Sequence, residues 1–407
     1  IVLMDNNITY DLLITNGRIV DIASNMDQVS DIAILNGKIA LVNEEIGDIQ
    51  FRRKIDAYGS VITAGLIDLH AHVAGGLRKI HQEDLMRSAD SGGVNSGITT
   101  VLDAGSTGAY NAGAFVNEVV ANSKTNVFAL LNIGTMGIMR IPEVRSLADI
   151  DSKATIEAII SRPDVLKGVK LRMVSPAIQE IGSDLVSCAK AVSSGSNSLL
   201  MVHVGDITGK SNEAVKLAPF LLSRVLECGD IVTHSFSHQP GGLLSNNHVL
   251  AEVFEAKKKG VIFDIGVGVA NFSFDSAKKM LDSGFMPDTL SSDITLAGLH
   301  DGPVFSLFDA MGKIMSLGLS LTDIVKMTTL APAKALGMEN EIGSLQVGRN
   351  ADISIFELVE GQFIFHDVTG ATNNGNVAVR PKLAIKNGDV MPLDFGPRPW
   401  GWLPNQE

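Results

Sequence analysis

Residues 163–175 read PDVLKGVKLRMVS, and their interpretation decides the fold. Val165, Leu166, Val169, Leu171 and Val174 give the run the character of a buried strand. Lys167 stands at its entrance and can reach solvent. Lys170 lies deeper, where an unpaired ammonium is costly. A lysine in that place needs a chemical reason, and the reason depends on what surrounds the strand.

Similar runs recur along the chain, centred near Ile67, Thr100, Ala129, Val169, Val202, Val232, Phe263 and Leu290. Helical patterns such as SDLVSCAKAVSS, SNEAVKLAPFLLSRVLECG and SAKKMLDSG fall between them. Strand-then-helix units repeating roughly every 30 residues point to a (β/α)8 TIM-like barrel over residues 62–339, with its site at the strand C-termini. A doubly wound open sheet would want a glycine-rich fingerprint after the first strand, and none is present. Short β-like runs with turn signals occupy residues 1–61, where Asn16-Gly17 and Asn36-Gly37 read as hairpin turns. β character returns in IGSLQVGRNADISIFEL after two further helical patterns. Residues 1–61 and 340–407 are therefore expected to pair into one discontinuous small β-sandwich domain. The tail PLDFGPRPWGWLPNQE reads as an extended surface segment with no assigned role.

The 407 residues are 45% hydrophobic and 19% charged, enough to bury a large core. A net charge of −12 argues against nucleic acid or an anionic membrane as partner, leaving a small molecule. Cys188 and Cys228, each within a helical pattern, fit a reducing compartment rather than a disulfide framework. Neither a signal-peptide pattern nor a run of membrane-spanning length is found. A soluble cytoplasmic protein that could form a homo-oligomer is the expectation.

Placed on the barrel, the ionisable residues gather. His70 and His72 end strand one in GLIDLHAHV, and alternate strand residues point the same way. Lys170 ends strand four, His203 strand five in VHVGD, His234 strand six in THSFSH, and Asp293 strand eight in SSDI. Singly, each has an ordinary structural reading: a satisfied histidine, a helix cap, a salt bridge. Together at one barrel face, they suit Zn²⁺ or a similar divalent ion. His238 follows strand six as a possible substrate contact, and His300 could line the mouth. His81, His248 and His366 fall in structural contexts.

These residues give the chain its resemblance to the amidohydrolase superfamily, in its dihydroorotase-like and deacetylase-like branch. The carriers are GLIDLHAHV, GVKLRM, VHVGD, THSFSH, SSDI, LAPAKALG and GSLQVGRNADISIF, and the similarity runs from about residue 10 to 391. The resemblance implies two divalent metal ions, one held by His70, His72 and Asp293 and the other by His203 and His234. It further implies that Lys170 bridges them as a carbamate (N6-carboxylysine). That agrees with elementary chemistry, since an ammonium has no lone pair to offer a metal. Metal-assisted attack of water on an acyl carbon follows, with Asp293 taking a proton from the nucleophile and returning it to the leaving group.

Dihydroorotases resembling this site read HxHxR, the arginine holding the substrate carboxylate; here Ala74 stands in that place, and Arg78 lies four residues further on. Arg172, two residues after Lys170, points to the same side and could clamp a carboxylate, or pair with a loop acid. Ser106, Tyr110 and Gln239, in the DAGSTGAYNAG and HQPGG loops, are candidate substrate contacts. The expectation is hydrolysis of an amide or ester in a small carboxylate-bearing acyl compound, with cyclic amide hydrolysis as the alternative. Two rivals remain. A mononuclear deaminase would resemble a pattern with glutamate where Asp206 stands and no strand-four lysine. A non-catalytic scaffold would lack several ligands.

Overall fold

The computed structural model describes residues 8–75, 87–394, 403 and 405–406. Arg78, His81 and most of the tail lie outside them.

The first strands are β1 (Thr9–Asp21), β2 (Met26–Leu35), β3 (Lys38–Asn43), β4 (Gln50–Asp56) and β5 (Val61–Ala64). Barrel strands follow as β6 (Ile67–Ala71), β7 (Thr100–Ala104), β8 (Asn126–Asn132), β9 (Leu166–Arg172), β10 (Leu199–His203) and β11 (Ile231–Thr233). A short hairpin, β12 (Leu244–Ser245) and β13 (His248–Val249), precedes the seventh barrel strand, β14 (Ile262–Asp264). The chain ends with β15 (Ile353–His366), β16 (Thr372–Lys386), β17 (Asp389–Met391) and β18 (Asn405–Gln406).

β6 to β11 and β14 form a seven-stranded parallel sheet in chain order. Their near-continuous apolar sequences follow from burial on both faces, since helices cover the outside. The eighth strand of the expected barrel is not a regular strand. It is an extended run bridged at Thr289 to Asp264 and at Ile294 to Ala71, and so it still closes the ring. Along it, Gly268 N donates to Ser292 O, and Asp293 N donates to His70 O at 2.7 Å. Asp293 has φ 50°, a left-handed conformation that breaks the ladder.

The expected helices form between the strands. SDLVSCAKAVSS lies in the helix Ser183–Ser196, and Ser273 caps Phe274–Asp282 by accepting from Ser276 N. Asn212–Phe220 contains Pro219 and passes into a π-type turn over Leu221–Val225, as expected where proline interrupts the bonding ladder. Cys188 is helical, but Cys228 corrects the expectation. It lies exposed in the turn after this helix, where Gly229 adopts φ 90°.

Both chain ends meet in one nine-stranded sheet ordered β17-β16-β15-β5-β1-β2-β3, with β4 also on β1 and β18 on β15. Leu12, Ile14, Ile34, Ile62, Ile353 and Ile385 form its core. Asn36-Gly37, with φ of 52° and 71°, makes the expected hairpin turn. Asn16-Gly17 does not. It lies inside β1 at a bulge where the register to β2 slips between Ile14 and Gly17. The outer halves of β15 and β16 pack on the barrel, with the Phe356 and Phe308 rings 5.7 Å apart. Among the described residues no helix is long and apolar enough to cross a membrane.

Candidate active site

The strand ends bring His70, His72, Lys170, His203, His234 and Asp293 together at one buried centre. Lys170 Nζ lies 3.1 Å from His70 Nε2. Asp293 Oδ1 lies 3.3 Å from His70 Nε2 and 3.2 Å from His72 Nε2, with His234 Nε2 4.0 Å from Oδ2. The His203 and His234 ring centres are 4.1 Å apart.

Each histidine is oriented by a bond on its far side, and for His70, His203 and His234 these bonds fix where the lone pair points. Thr233 Oγ1 donates to Asp264 Oδ2 at 2.7 Å, so it accepts from His70 Nδ1 at 2.9 Å and leaves Nε2 as the acceptor. His234 Nδ1 donates to Gly266 O at 2.7 Å, and its Nε2 is buried without a partner. His203 Nε2 donates to Gly205 O at 3.1 Å, leaving Nδ1 free. His72 Nδ1 meets Ser106 Oγ at 3.0 Å. Lone pairs therefore converge on a carboxylate, an arrangement that a cation reconciles and an empty apolar core does not. The ligand atoms of His70, His234 and Asp293 all lie within 4.8 Å of one another. The donor set thus fits a divalent metal.

Electrostatics agree. Burial, reinforced by Lys170, holds the His70 imidazole well below its ordinary value, and burial pushes His234 down to about 4. These rings are neutral, as metal ligands must be. Burial drives Lys170 down to about 7 against the pull of Asp293 and Asp264. Burial would raise Asp293, yet hydrogen bonding with His72 and the field of His234 and Lys170 keep it below the usual carboxylate range.

Glycines make room for this cluster. A Cβ on Gly268, at φ +60°, would lie 2.4 Å from Asp293 Oδ2, and one on Gly105, at φ +89°, 2.9 Å from Lys170 Cβ. A cavity of about 230 Å³ opens on the centre, bordered by His72, Lys170, Arg172, His203 and Asp293 and walled by Ile138, Ile141, Ile207 and Val269.

The expected substrate contacts separate. Arg172 borders the cavity and also pairs with Glu143, Nη1 to Oε1 at 3.0 Å, so the loop-acid alternative is realised at the cavity edge. Ser106 is fully buried behind His72, where it orients a ring. Tyr110 is 64% exposed and donates to Asp151 at 3.1 Å, away from the cavity wall. Gln239 donates to Ala270 O at 3.3 Å, placing it behind the wall rather than in it. His238 and His300 are exposed and do not line the cavity. Asp206 accepts from Ser175 Oγ at 2.7 Å and Thr208 Oγ1 at 2.9 Å, an anchor for loops rather than a proton carrier.

Thr233, Asp264, Glu143 and Asn271, the last of which also lines the cavity, were not signalled by the sequence. Asp264, a carboxylate ending an apolar run in VIFDIG, offered a signal of the same kind as Lys170. Glu143 and Asn271 sit in loops whose course no periodicity describes.

Residues 61–391 match the family described as the amidohydrolase family. A protein named deacetylase from Enterococcus faecalis is 31% identical over 384 residues, spanning 94% of this chain and 99% of its own. A second deacetylase, from Brucella anthropi, is 29% identical, spanning 93% of this chain and 92% of its own. Two solved structures share the fold. One described as an adenine deaminase has a TM-score of 0.84 at 31% identity, covering 94% of this chain and all of that one. One described as a dihydroorotase has 0.82 at 26% identity, covering 94% and 99%.

Proposed function

The chain belongs to the amidohydrolase family, and from that premise we propose that it hydrolyses the amide or ester bond of a small carboxylate-bearing acyl compound, such as an N-acyl amino acid or O-acyl hydroxy acid. It is a hydrolase acting on carbon–nitrogen bonds, and its curated relatives named deacetylase are nearer in sequence than those named dihydroorotase. The observation that carries the reading is the meeting of a metal-fitting donor set and Arg172 at one cavity.

In this reading His70, His72 and Asp293 would hold one divalent ion and His203 and His234 a second, both Zn²⁺. Lys170 would complete the ligand set as N6-carboxylysine: its neutral amine would add CO₂ and release a proton, giving an anion with two oxygens to offer. Bound metal supplies a water of lowered pKa and a polarised acyl carbonyl. Asp293 takes the proton from the attacking water and delivers it to the leaving amine or alkoxide. Its left-handed backbone and the close packing of Gly268 fix the carboxylate for both transfers. Arg172 orients the substrate through its carboxylate, beside an apolar wall that includes the buried Ile138.

Cyclic amide hydrolysis is a second reading, favoured by the overall likeness to the dihydroorotase structure. Against it, the position that resembles the carboxylate-holding arginine is Ala74, 1% exposed. A deaminase reading lacks its proton carrier, since Asp206 is engaged by loop hydroxyls. The deciding experiment is a turnover screen of the Zn-loaded protein on N-acyl and O-acyl acids of both hands, with dihydroorotate, hydantoin and adenine included. Hydrolysis of the acyl acids is expected. Turnover confined to adenine or the cyclic amides would sink the reading.

A further inference from the structure

Arg172 reaches the cavity already paired. Its Nη1 donates to Glu143 Oε1 at 3.0 Å, with side-chain exposures of only 17% and 11%. The loop that delivers Glu143 has its own framework. Gly134 bridges to Ile150, Arg140 pairs with Asp149, and Asp149 Oδ2 accepts from Arg145 N at 2.8 Å. A Cβ on Gly134 would lie 2.6 Å from Glu143 O, so the backbone carrying Glu143 is packed against the start of the loop. Arg172 is held from the other side by β9, in register with His203 of β10. Both partners of this ion pair are carried on anchored backbone.

A guanidinium held in this way is ordered, but its charge is balanced before substrate arrives. Resting on the reading of Arg172 as a carboxylate clamp, we propose that Glu143 is a positioning residue that sets the charge preference of the site, holding the Arg172 fork toward the cavity while tempering its pull on a substrate carboxylate. The two effects oppose each other. Fixing a long side chain before binding favours affinity, because less freedom is lost on contact. A resident carboxylate beside the incoming one disfavours it. The surroundings make charge the larger effect: the two side chains are largely buried, and the buried Ile138, from the same loop as Glu143, walls the cavity beside them, so the local dielectric is low. Glu143 thereby moderates retention of acidic substrates and acidic products alike, and biases the site against substrates with two negative charges.

Glu143→Gln separates the effects, since glutamine keeps the hydrogen-bond acceptor and removes the charge. The measurement is the ratio of kcat/KM for an N-acyl amino acid to that for its uncharged primary amide, which a general loss of folded or metal-loaded protein does not move. The ratio is expected to rise about tenfold in Glu143→Gln, mainly through a lower KM for the acid. Arg172→Met should lower the ratio, and adding Glu143→Gln to Arg172→Met should raise it again in part, since the Glu143 carboxylate disfavours an incoming carboxylate by its own charge. The double variant also avoids stranding one buried charge. An unchanged ratio in Glu143→Gln, with a lowered ratio in Arg172→Met, overturns the role of Glu143 and leaves the carboxylate clamp standing. An unchanged ratio in Arg172→Met overturns the clamp itself.

Discussion

Lys170 Nζ and His70 Nε2 lie 3.1 Å apart at the buried centre of the barrel, a lysine nitrogen facing a ring nitrogen whose lone pair is turned toward it. Burial that drives this amine down to about 7 leaves a substantial neutral fraction near physiological pH. The neutral form is the nucleophile toward CO₂. Lys170→Ala is therefore expected to lose bound metal and to lower activity by more than about 100-fold, beyond the usual penalty for disturbing a residue that only orients a ligand. Metal analysis alongside turnover checks it, with partial rescue by a short carboxylic acid. Retention of two metal equivalents in this variant would refute the carbamate.

Ser106 and Thr233 hold His72 and His70 from behind. Ser106→Ala and Thr233→Val should weaken metal affinity by about 10- to 100-fold while leaving KM at saturating Zn²⁺ little changed. Competition with a chromogenic chelator measures this. A KM effect for Ser106→Ala at full metal loading would restore it as a substrate contact.

Gly268 has φ +60° and no room for a side chain beside Asp293. Gly268→Ala meets both obstacles, and the left-handed backbone alone costs about 1–2 kcal/mol. A lower Tm is expected, with a fall in kcat larger than the fraction unfolded explains, because the Asp293 carboxylate must move. Unchanged kcat would show that the position of this carboxylate is not critical.

The metal-free protein should weaken on acidification. His234 binds its proton near 6.5 in the unfolded chain but only near 4 when buried. Between those values the unfolded state holds more protons, so the contribution of His234 to stability is full above 6.5 and is lost as pH drops toward 4, by on the order of 2–3 kcal/mol. Denaturant titration across this range tests it, and His234→Gln should flatten the dependence. Lys170 acts at the other end. With a folded value of about 7 against 10.5, unmodified protein gains stability as pH rises through that interval. Reactivation of metal-free protein by bicarbonate and Zn²⁺ should accordingly be faster at pH 8 than at pH 6.

What could be read without coordinates was what repeats or what is out of place. The strand-helix alternation implied the barrel, and charged residues ending apolar runs marked His70, His72, Lys170, His203, His234 and Asp293 as a group. Strand geometry permits this, because every second residue near the C-terminal end of a barrel strand projects toward the barrel interior and mouth. Asn16-Gly17 misled because a local turn signal is weaker than the sheet register, which absorbed it as a bulge. Strand eight escaped as a regular strand because Asp293 takes a left-handed conformation that only its packing stabilises.

The sequence by itself determined the alternation, the ligand types and the strand ends that carry them. Tertiary structure alone decided which nitrogen of each histidine faces inward, that Ser106 meets His72, and that Glu143 meets Arg172 across a loop. Periodicity fixes the direction of a side chain relative to its own strand. Hydrogen-bond partners and ion pairs between distant segments depend on how loops pack, and no local pattern encodes that.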